Sequence, residues 1–356
     1  MKIGLVVYGS LETMSGGNLY DRKLIDYLRS RGDQVRIIAL PPGDYPSHLF
    51  NNLDFRLSPD LDLIIEDELV HPSVLVANWR HSADPSRSKP ALLSLVHNLH
   101  SSERRAAWQN AFYRQVEKLH LRSVDGYIFN SQATRDSVAT LAGDDKPSVL
   151  APPGGDRLGS ISESDLQERL ARGGPLRLLF LANVTPLKGL HVLLDALRCV
   201  SAHIYTLEVA GSLSVAPGYA ASMQQQAGQL GMPVKFHGIL DGEELAALLK
   251  NSDALALPSF WEGFGIAYLE GMAFGLPAIG TTAGAIPQMI KHGSNGYLIA
   301  PGDSLMLADL IKELASDRAR LEQMSSAARE YFGSCITWAQ SAEIVRNFLI
   351  EIIGRS

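Results

Sequence analysis

Short apolar runs alternate with helix-length segments along almost the whole chain of 356 residues. This alternation is typical of parallel βα units, whose helices cover both faces of a sheet. The first half carries six predicted strands, near residues 3–8, 34–39, 61–65, 91–97, 126–129 and 148–150. The second half carries six more, near residues 176–181, 205–210, 234–237, 254–257, 277–280 and 296–299. The pattern therefore predicts an α/β protein with two doubly wound parallel sheets.

A segment rich in proline, glycine, serine and charge separates the two halves, and this composition favours a linker over another core element. We predict an N-terminal domain at 1–157, a linker at 158–174, a C-terminal domain at 175–334 and a final helix at 335–356. That helix is expected to cover the second domain or to pack back on the first. Because ligands of open α/β sheets bind beyond the carboxyl ends of the strands, we expect the active site in a cleft between the domains.

The composition excludes several classes of protein. The chain has 32 basic and 38 acidic residues and no basic tract, which argues against a broad nucleic-acid surface. It has no run of 18 apolar residues to span a membrane. Its two cysteines, Cys199 and Cys335, form neither a disulfide framework nor a metal motif. The first residues enter a strand directly, so we expect the mature chain to start at Met1 in the reducing cytoplasm.

A glycine-rich loop with two glutamates follows a predicted buried strand and opens a predicted helix, between Pro258 and Pro277. Backbone N–H groups at Gly263–Ile266 would lie at the helix N-terminus, which is an anion-binding arrangement. Glu262 lies in the loop and Glu270 lies further along the helix, where each carboxylate can accept two hydrogen bonds from neighbouring sugar hydroxyls. The alternative, two solvated surface glutamates, is disfavoured by the glycines and aromatic residues around them.

The Glu-x7-Glu spacing, followed by Gly275-Leu276-Pro277 and then residues 281–288, resembles the retaining nucleotide-sugar glycosyltransferases of the GT-B fold, group 1 or family 4. The resemblance covers nearly the whole chain. It implies two Rossmann-like domains facing across a cleft, with Glu270 on the ribose hydroxyls and Glu262 on the transferred sugar. The donor-binding residues that it implies in this loop are Glu262, Gly263, Phe264, Gly265, Ile266 and Glu270.

A lysine and an asparagine follow the first predicted strand of the second half. Lys188 stands at the start of a predicted helix, where its charge would add to the positive helix end and hold a diphosphate. A surface lysine is the alternative, and the resemblance supports the phosphate role. The family commonly has an arginine where this chain has Asn183, which brings no charge. Donor binding is then either weaker or completed by another cation, for which Arg80 and Arg22 are candidates.

Two segments of the first half carry further candidates. Gly16 and Gly17 lie between the first strand and the first helix, where they form either a simple turn or a close approach to a ligand. His97 ends the fourth predicted strand, which places it at the carboxyl edge of the sheet. A structural histidine is the alternative. The resemblance assigns Gly16 and Gly17 to the donor diphosphate and acceptor, and His97 to the donor sugar.

A predicted helix at 102–122 carries Trp108, Phe112, Val116 and Leu119 as an apolar stripe beside several basic residues. One interpretation is a helix that packs this stripe on the core and solvates its basic side. The other is a contact with anionic lipid headgroups, which would place the enzyme peripherally at the inner membrane face.

Together, these features predict transfer of a hexose from a nucleoside diphosphate sugar, of the UDP or GDP type, to a hydroxyl of a glycan, lipid or small molecule. The resemblance implies retention of configuration by front-face attack, with His97, Lys188 and Glu262 as the catalytic residues. No cofactor or metal is expected. The chain has no metal-binding Asp-x-Asp dyad in a suitable loop, and the Asp144-Asp145 pair lies in a polar turn and looks solvated. A nucleotide-sugar epimerase and an inactive donor-binding partner are the alternatives.

Overall fold

The structure is a computed structural model that describes residues 1–12, 15–83, 89–102, 105–229 and 231–355. The chain divides into two compact units. Unit 1 contains Met1–Pro153 and Trp338–Ser356, and unit 2 contains Gly154–Thr337.

The described residues of unit 1 form a six-stranded parallel sheet with strand order β2-β1-β3-β4-β5-β6. The elements up to residue 150 are β1 Lys2–Tyr8, α1 Gly16–Ser30, β2 Gln34–Leu40, α2 Tyr45–Phe50, β3 Leu63–Asp67, α3 His71–Ala83, β4 Ala91–Val96, α4 Ala107–Ser123, β5 Gly126–Phe129, α5 Gln132–Ala142 and β6 Ser148–Leu150. The central strands β3 and β4 are buried along their whole length, as expected for a parallel sheet covered on both faces. The observed β4, β5 and β6 match the fourth to sixth strands that the apolar runs predicted, within one residue.

Unit 2 repeats this architecture with strand order β12-β11-β10-β7-β8-β9. Its described elements are α6 Glu163–Ala171, β7 Leu176–Leu181, α7 Leu190–Leu197, β8 Tyr205–Ala210, α8 Pro217–Gln229, β9 Val234–Gly238, α9 Gly242–Asn251, β10 Ala254–Ala256, α10 Ile266–Ala273, β11 Ala278–Thr281, β12 Gly296–Ile299, α11 Ser304–Ser316 and α12 Arg318–Gly333. The order reverses beside β7 and β10, so the loops that follow these two neighbouring strands meet at one switch point.

The predicted linker at 158–174 differs from the structure, which has a helix of unit 2 in it. Ser162 caps α6 by accepting a hydrogen bond from the Asp165 N–H at 3.1 Å. Leu166 is buried in the core of unit 2. The buried guanidinium of Arg169 donates to the carbonyls of Phe274 and Gly275 at 2.8 and 2.9 Å. Composition did not show this because one leucine and one arginine make the anchoring contacts of a short, polar helix.

The last helix, α13 Trp338–Arg355, returns to unit 1. Its Arg346 donates to the buried carboxylate of Asp33 at 2.7 Å, and Trp338 packs edge-on against Tyr20 of α1. Phe348 lies beside Gly126, where a side chain would collide with the Pro147 carbonyl. In the part of the chain that the structure describes, no helix combines the length and apolarity that crossing a bilayer requires.

Candidate active site

Lys188 and Glu262 form an ion pair at the switch point of unit 2. Lys188 lies in a 3₁₀ turn after β7, and Glu262 lies in the loop after β10. The Lys188 Nζ is 2.8 Å from both carboxylate oxygens. The two side chains are 26% and 10% exposed, so the pair is sheltered but reachable from solvent. The Phe260 N–H donates to the Leu187 carbonyl at 2.8 Å and joins the two loops directly.

Contacts from two segments of the chain fix the position of Glu262. The Ser259 hydroxyl donates to Glu262 Oε1 at 2.8 Å. The Ala285 N–H donates to the Glu262 carbonyl at 3.0 Å. Gly284 has φ +67°, and a Cβ there would lie 2.0 Å from the same carbonyl oxygen. The Thr281–Gln288 segment of the motif thus holds the glutamate loop, and only glycine fits at position 284.

Glu270 is buried in α10 and paired with Arg157, a residue that the sequence analysis did not single out. The Arg157 Nε and Nη2 atoms lie 2.8 and 2.7 Å from Glu270 Oε1. Burial raises the pKa of the Glu270 carboxyl, and the guanidinium opposes this shift. Arg157 follows a Pro-Gly-rich stretch that resembles a linker, and only its spatial position next to α10 marks it as a site residue.

The start of α10 has the predicted geometry of a glycine-led helix. Gly265 has φ +94° and serves as N-cap, without a side-chain cap hydrogen bond. A Cβ at Gly265 would lie 2.8 Å from Tyr268 and 2.9 Å from Ile286. Phe264 packs partly buried against the core of unit 2, which holds the loop down beside the helix start at Ile266. Gly265 thus lets the chain enter α10 closely packed.

Asn183, where the resemblance implies an arginine, contacts the neighbouring loop. Its Oδ1 accepts a hydrogen bond from the Ser212 N–H at 3.1 Å, which ties the segment after β7 to the segment after β8. Gly211 allows this approach, because a Cβ there would lie 2.0 Å from the Ala182 carbonyl. The candidate replacement cations lie in unit 1, where Arg22 donates to the Leu11 carbonyl and Arg80 is exposed.

Gly16 and Gly17 are the first two residues of α1, not a loop before it. Ser15 is the N-cap and accepts a hydrogen bond from the Asn18 N–H at 3.1 Å. A Cβ at Gly17 would lie 3.2 Å from the imidazole of His97. The structure therefore brings Gly17 and His97 together, as two parts of one surface at the carboxyl edge of the unit 1 sheet.

His97 is held by a buried carboxylate that sequence reasoning missed. Its Nε2 is 2.9 Å from Asp21 Oδ1, and Asp21 is fully buried in α1. Burial alone would lower the pKa of His97, but Asp21, Asp67 and Glu68 raise it to about 9. These neighbouring carboxylates therefore favour the cationic form of the imidazole. Asp21 lies four residues after Gly17 on the first helix, and that spacing was the available signal.

Further acidic groups are buried behind His97. Asp67 and Glu68 follow β3, and burial raises their pKa values to about 6 and about 8. Glu117 of α4 is also buried and has its pKa raised to about 7. Both carboxylate oxygens of Glu68 are buried without a hydrogen-bond partner. Burial and mutual repulsion both oppose the ionisation of these carboxyls.

Two groups of described side chains bring three possible metal-ligand atoms within 4.8 Å of one another, namely Asp21, Asp67 and His97, and Glu68, His71 and Glu117. In the second group, both nitrogens of His71 already have partners. Nδ1 lies 2.8 Å from the Glu68 carbonyl, to which it donates, and Nε2 lies 2.9 Å from the Tyr45 hydroxyl. In the first group, His97 Nε2 is bonded to Asp21. The contacts of these histidines favour hydrogen-bonded networks over coordination.

The interpretation in which the apolar stripe of α4 packs on the core is wrong for three of its four residues. Val116 is buried, but Trp108, Phe112 and Leu119 are 73%, 46% and 60% exposed. Glu117 and His120 are buried instead. The His120 Nε2 is hydrogen-bonded to Glu66 Oε2 at 2.8 Å. A polar network thus occupies the inner face of the helix. The helix begins at Ala107, and positions 103 and 104 of the predicted segment lie outside the described residues.

Comparison with known proteins defines the class of enzyme. Residues 162–331 match the family model for glycosyl transferases group 1. The phosphatidyl-myo-inositol mannosyltransferase of Mycobacterium leprae is 26% identical over 349 residues, covering 93% of this chain and 91% of that protein. The chain is a glycosyltransferase.

Solved structures confirm the predicted fold. The sucrose-phosphate synthase of Thermosynechococcus elongatus has a TM-score of 0.81 at 19% identity, covering 100% of both chains. HepE of Anabaena, solved with UDP-glucose, has a TM-score of 0.78 at 21% identity, covering 99% of this chain and 100% of that chain. The two Rossmann-like sheets thus form the GT-B fold.

Proposed function

We propose that the chain transfers a hexose from a UDP-type or GDP-type nucleotide sugar to an acceptor hydroxyl, with retention of configuration. The observation that carries this proposal is the Lys188–Glu262 pair at the switch point of unit 2. Open α/β sheets bind their ligands at such points, and the pair offers one cation and one acceptor of hydroxyl hydrogen bonds. The UDP-glucose bound in the HepE structure supports a nucleotide-sugar donor.

In this proposal Lys188 stabilises the diphosphate as it leaves. The ammonium donates to a phosphate oxygen, and its attraction grows as charge develops on the leaving group. Glu262 then accepts hydrogen bonds from the transferred sugar, and the N-terminus of α10 adds positive potential. The departing phosphate oxygen takes the acceptor proton, so the chain supplies position and charge but no nucleophile. The reaction on this route needs no metal. The role of His97 on the donor sugar stays a prediction.

Glu270 anchors the nucleoside in the same proposal. Its carboxylate is positioned in α10, eight residues after Glu262, and accepts hydrogen bonds from the ribose hydroxyls. The two glutamates would thus bind opposite ends of one elongated donor.

The test is incubation of the full chain with a panel of UDP, GDP and ADP sugars and candidate acceptors, with and without EDTA. We expect release of nucleoside diphosphate that depends on acceptor and is unchanged by EDTA. An altered sugar still linked to the nucleotide would show epimerisation, and binding without turnover would show an inactive partner. Either outcome contradicts the proposal, and activity restored only by magnesium or manganese contradicts its metal-free route.

We further propose that the protein binds an anionic lipid surface through α4 and its neighbours, and that it finds its acceptor there. Trp108, Phe112 and Leu119 are exposed on α4, and Trp79 of α3 is 68% exposed in the same unit. Arg114, exposed on α4, would meet anionic headgroups. Aromatic and leucine side chains together with basic residues on one helix are the pattern of interfacial helices.

Vesicle sedimentation tests this contact. The wild type is expected to sediment with vesicles of phosphatidylglycerol and phosphatidylcholine and much less with phosphatidylcholine alone. Trp108→Ser with Phe112→Ser should weaken that binding at least several-fold, because it removes two exposed apolar side chains that would bury their surface in the bilayer. The matched control is Leu305→Ser with Met306→Ser, two exposed apolar residues of unit 2. Equal binding by wild type and the α4 variant would contradict the contact.

A further inference from the structure

We infer that Arg157 is a positioning residue for the nucleoside end of the donor: it holds one oxygen of Glu270 and leaves the other to the ribose. This inference rests on the proposed function of Glu270. Both contacts of Arg157, at 2.8 and 2.7 Å, end on the same atom, Glu270 Oε1. Arg157 thus holds Oε1, and on this inference Oε2 accepts from the ribose hydroxyls.

The position of Arg157 is built into the fold of unit 2. It lies in a 3₁₀ turn at Asp156–Leu158 that packs against α10. A Cβ at Gly155 would lie 2.8 Å from Leu269, the neighbour of Glu270, so the turn can approach the helix only with glycine there. After the turn, the Ile161 N–H donates to the Ala273 carbonyl at 3.0 Å. The turn is therefore fixed to α10 on both sides of Arg157.

The charge of Arg157 serves the same end. Glu270 has a side chain only 5% exposed, and burial favours its neutral form. The guanidinium lowers the pKa of Glu270 against the effect of burial and so favours the ionised form, which accepts stronger hydrogen bonds from ribose hydroxyls than a neutral carboxyl does. Arg157 contacts Glu270, the glutamate proposed to bind the nucleoside. It therefore does not supply the diphosphate-binding charge that is missing because position 183 is an asparagine.

The test separates ribose recognition from general binding. Calorimetry would compare UDP with 2′,3′-dideoxy-UDP, or the corresponding GDP or ADP pair if the wild type binds that nucleotide more tightly. The wild type is expected to prefer the ribonucleotide about tenfold, since two hydrogen bonds are at stake. Arg157→Met and Glu270→Gln should each bring that ratio close to one while leaving dideoxy affinity nearly unchanged. Arg157→Lys should retain part of the ratio.

Arg172→Met is the matched control, because Arg172 is a half-exposed arginine of unit 2 whose partner Glu168 lies on the surface. The inference is overturned if Arg157→Met keeps the wild-type ratio while Glu270→Gln loses it. It is also overturned if Arg157→Met binds UDP more tightly, since Arg157 would then compete with the ligand. A wild type that binds no nucleoside diphosphate, or does not distinguish ribose from dideoxyribose, overturns the proposed role of Glu270 and this inference with it.

Discussion

Replacement of Lys188 by alanine is expected to lower turnover by on the order of 10²–10³-fold, the usual cost of removing one preorganised group that stabilises developing charge. Donor affinity should fall much less, because the diphosphate carries more negative charge in the transition state than in the bound donor. Steady-state kinetics and calorimetry with the active donor measure the two effects separately.

Two controls isolate the role of the Lys188 charge. Lys250→Ala removes a surface lysine of unit 2 that pairs with Asp165, and it should leave turnover unchanged. Lys188→Ala also leaves the sheltered Glu262 carboxylate without its cation, so the double variant with Glu262→Gln tests whether that stranded charge causes the loss. Recovery of turnover in the double variant, or equal losses of binding and turnover in Lys188→Ala, would contradict the proposed role.

Gly284→Ala is expected to cost both stability and activity. The new Cβ would lie 2.0 Å from the Glu262 carbonyl oxygen, so the segment after β11 and the glutamate loop must separate. The loss of unfolding free energy should be larger than that of an ordinary substitution, which is about 0.5–3 kcal/mol. The cost of the positive φ and the cost of the backbone collision add to each other. Thermal unfolding followed by circular dichroism, together with donor turnover, measures the effect.

Gly159→Ala separates these two causes. Gly159 has φ +75°, close to the +67° of Gly284, but a Cβ at position 159 has nothing within 4 Å. It should therefore show only the cost of a non-glycine residue in this positive-φ backbone, about 1–3 kcal/mol, with turnover intact. Similar destabilisation by the two substitutions would mean that the collision at Gly284 is relieved at little cost.

The fold could be predicted from the apolar runs, because parallel strands that are buried on both faces consist almost entirely of apolar residues. All twelve predicted strands have counterparts, within a few residues, in the described structure. Helices were harder to predict. The segment that forms α6 is polar and flanked by glycines, so its composition favoured a linker. Tertiary contacts such as the Arg169 hydrogen bonds, not local composition, stabilise α6.

The geometry of the candidate site was predictable where loops leave neighbouring strands. Lys188 and Glu262 could be placed because each follows a predicted strand, and the strand order then brings them to 2.8 Å. Arg157 was not predictable, because its partner lies 113 positions away in sequence. Asp21, whose partner lies 76 positions away, was marked only by its spacing from Gly17. The face of α4 was assigned wrongly because an apolar stripe does not reveal a buried polar network such as Glu66–His120 on the other side.

Retaining transfer itself is tested most directly by analysing the products of the donor that the panel identifies. The amount of nucleoside diphosphate released and the amount of glycoside formed would be quantified together, and the new linkage would be assigned by proton NMR. The account predicts equal amounts and a glycoside with the anomeric configuration of the donor. Inverted configuration, or nucleotide release without a glycoside in the presence of every acceptor, would contradict it.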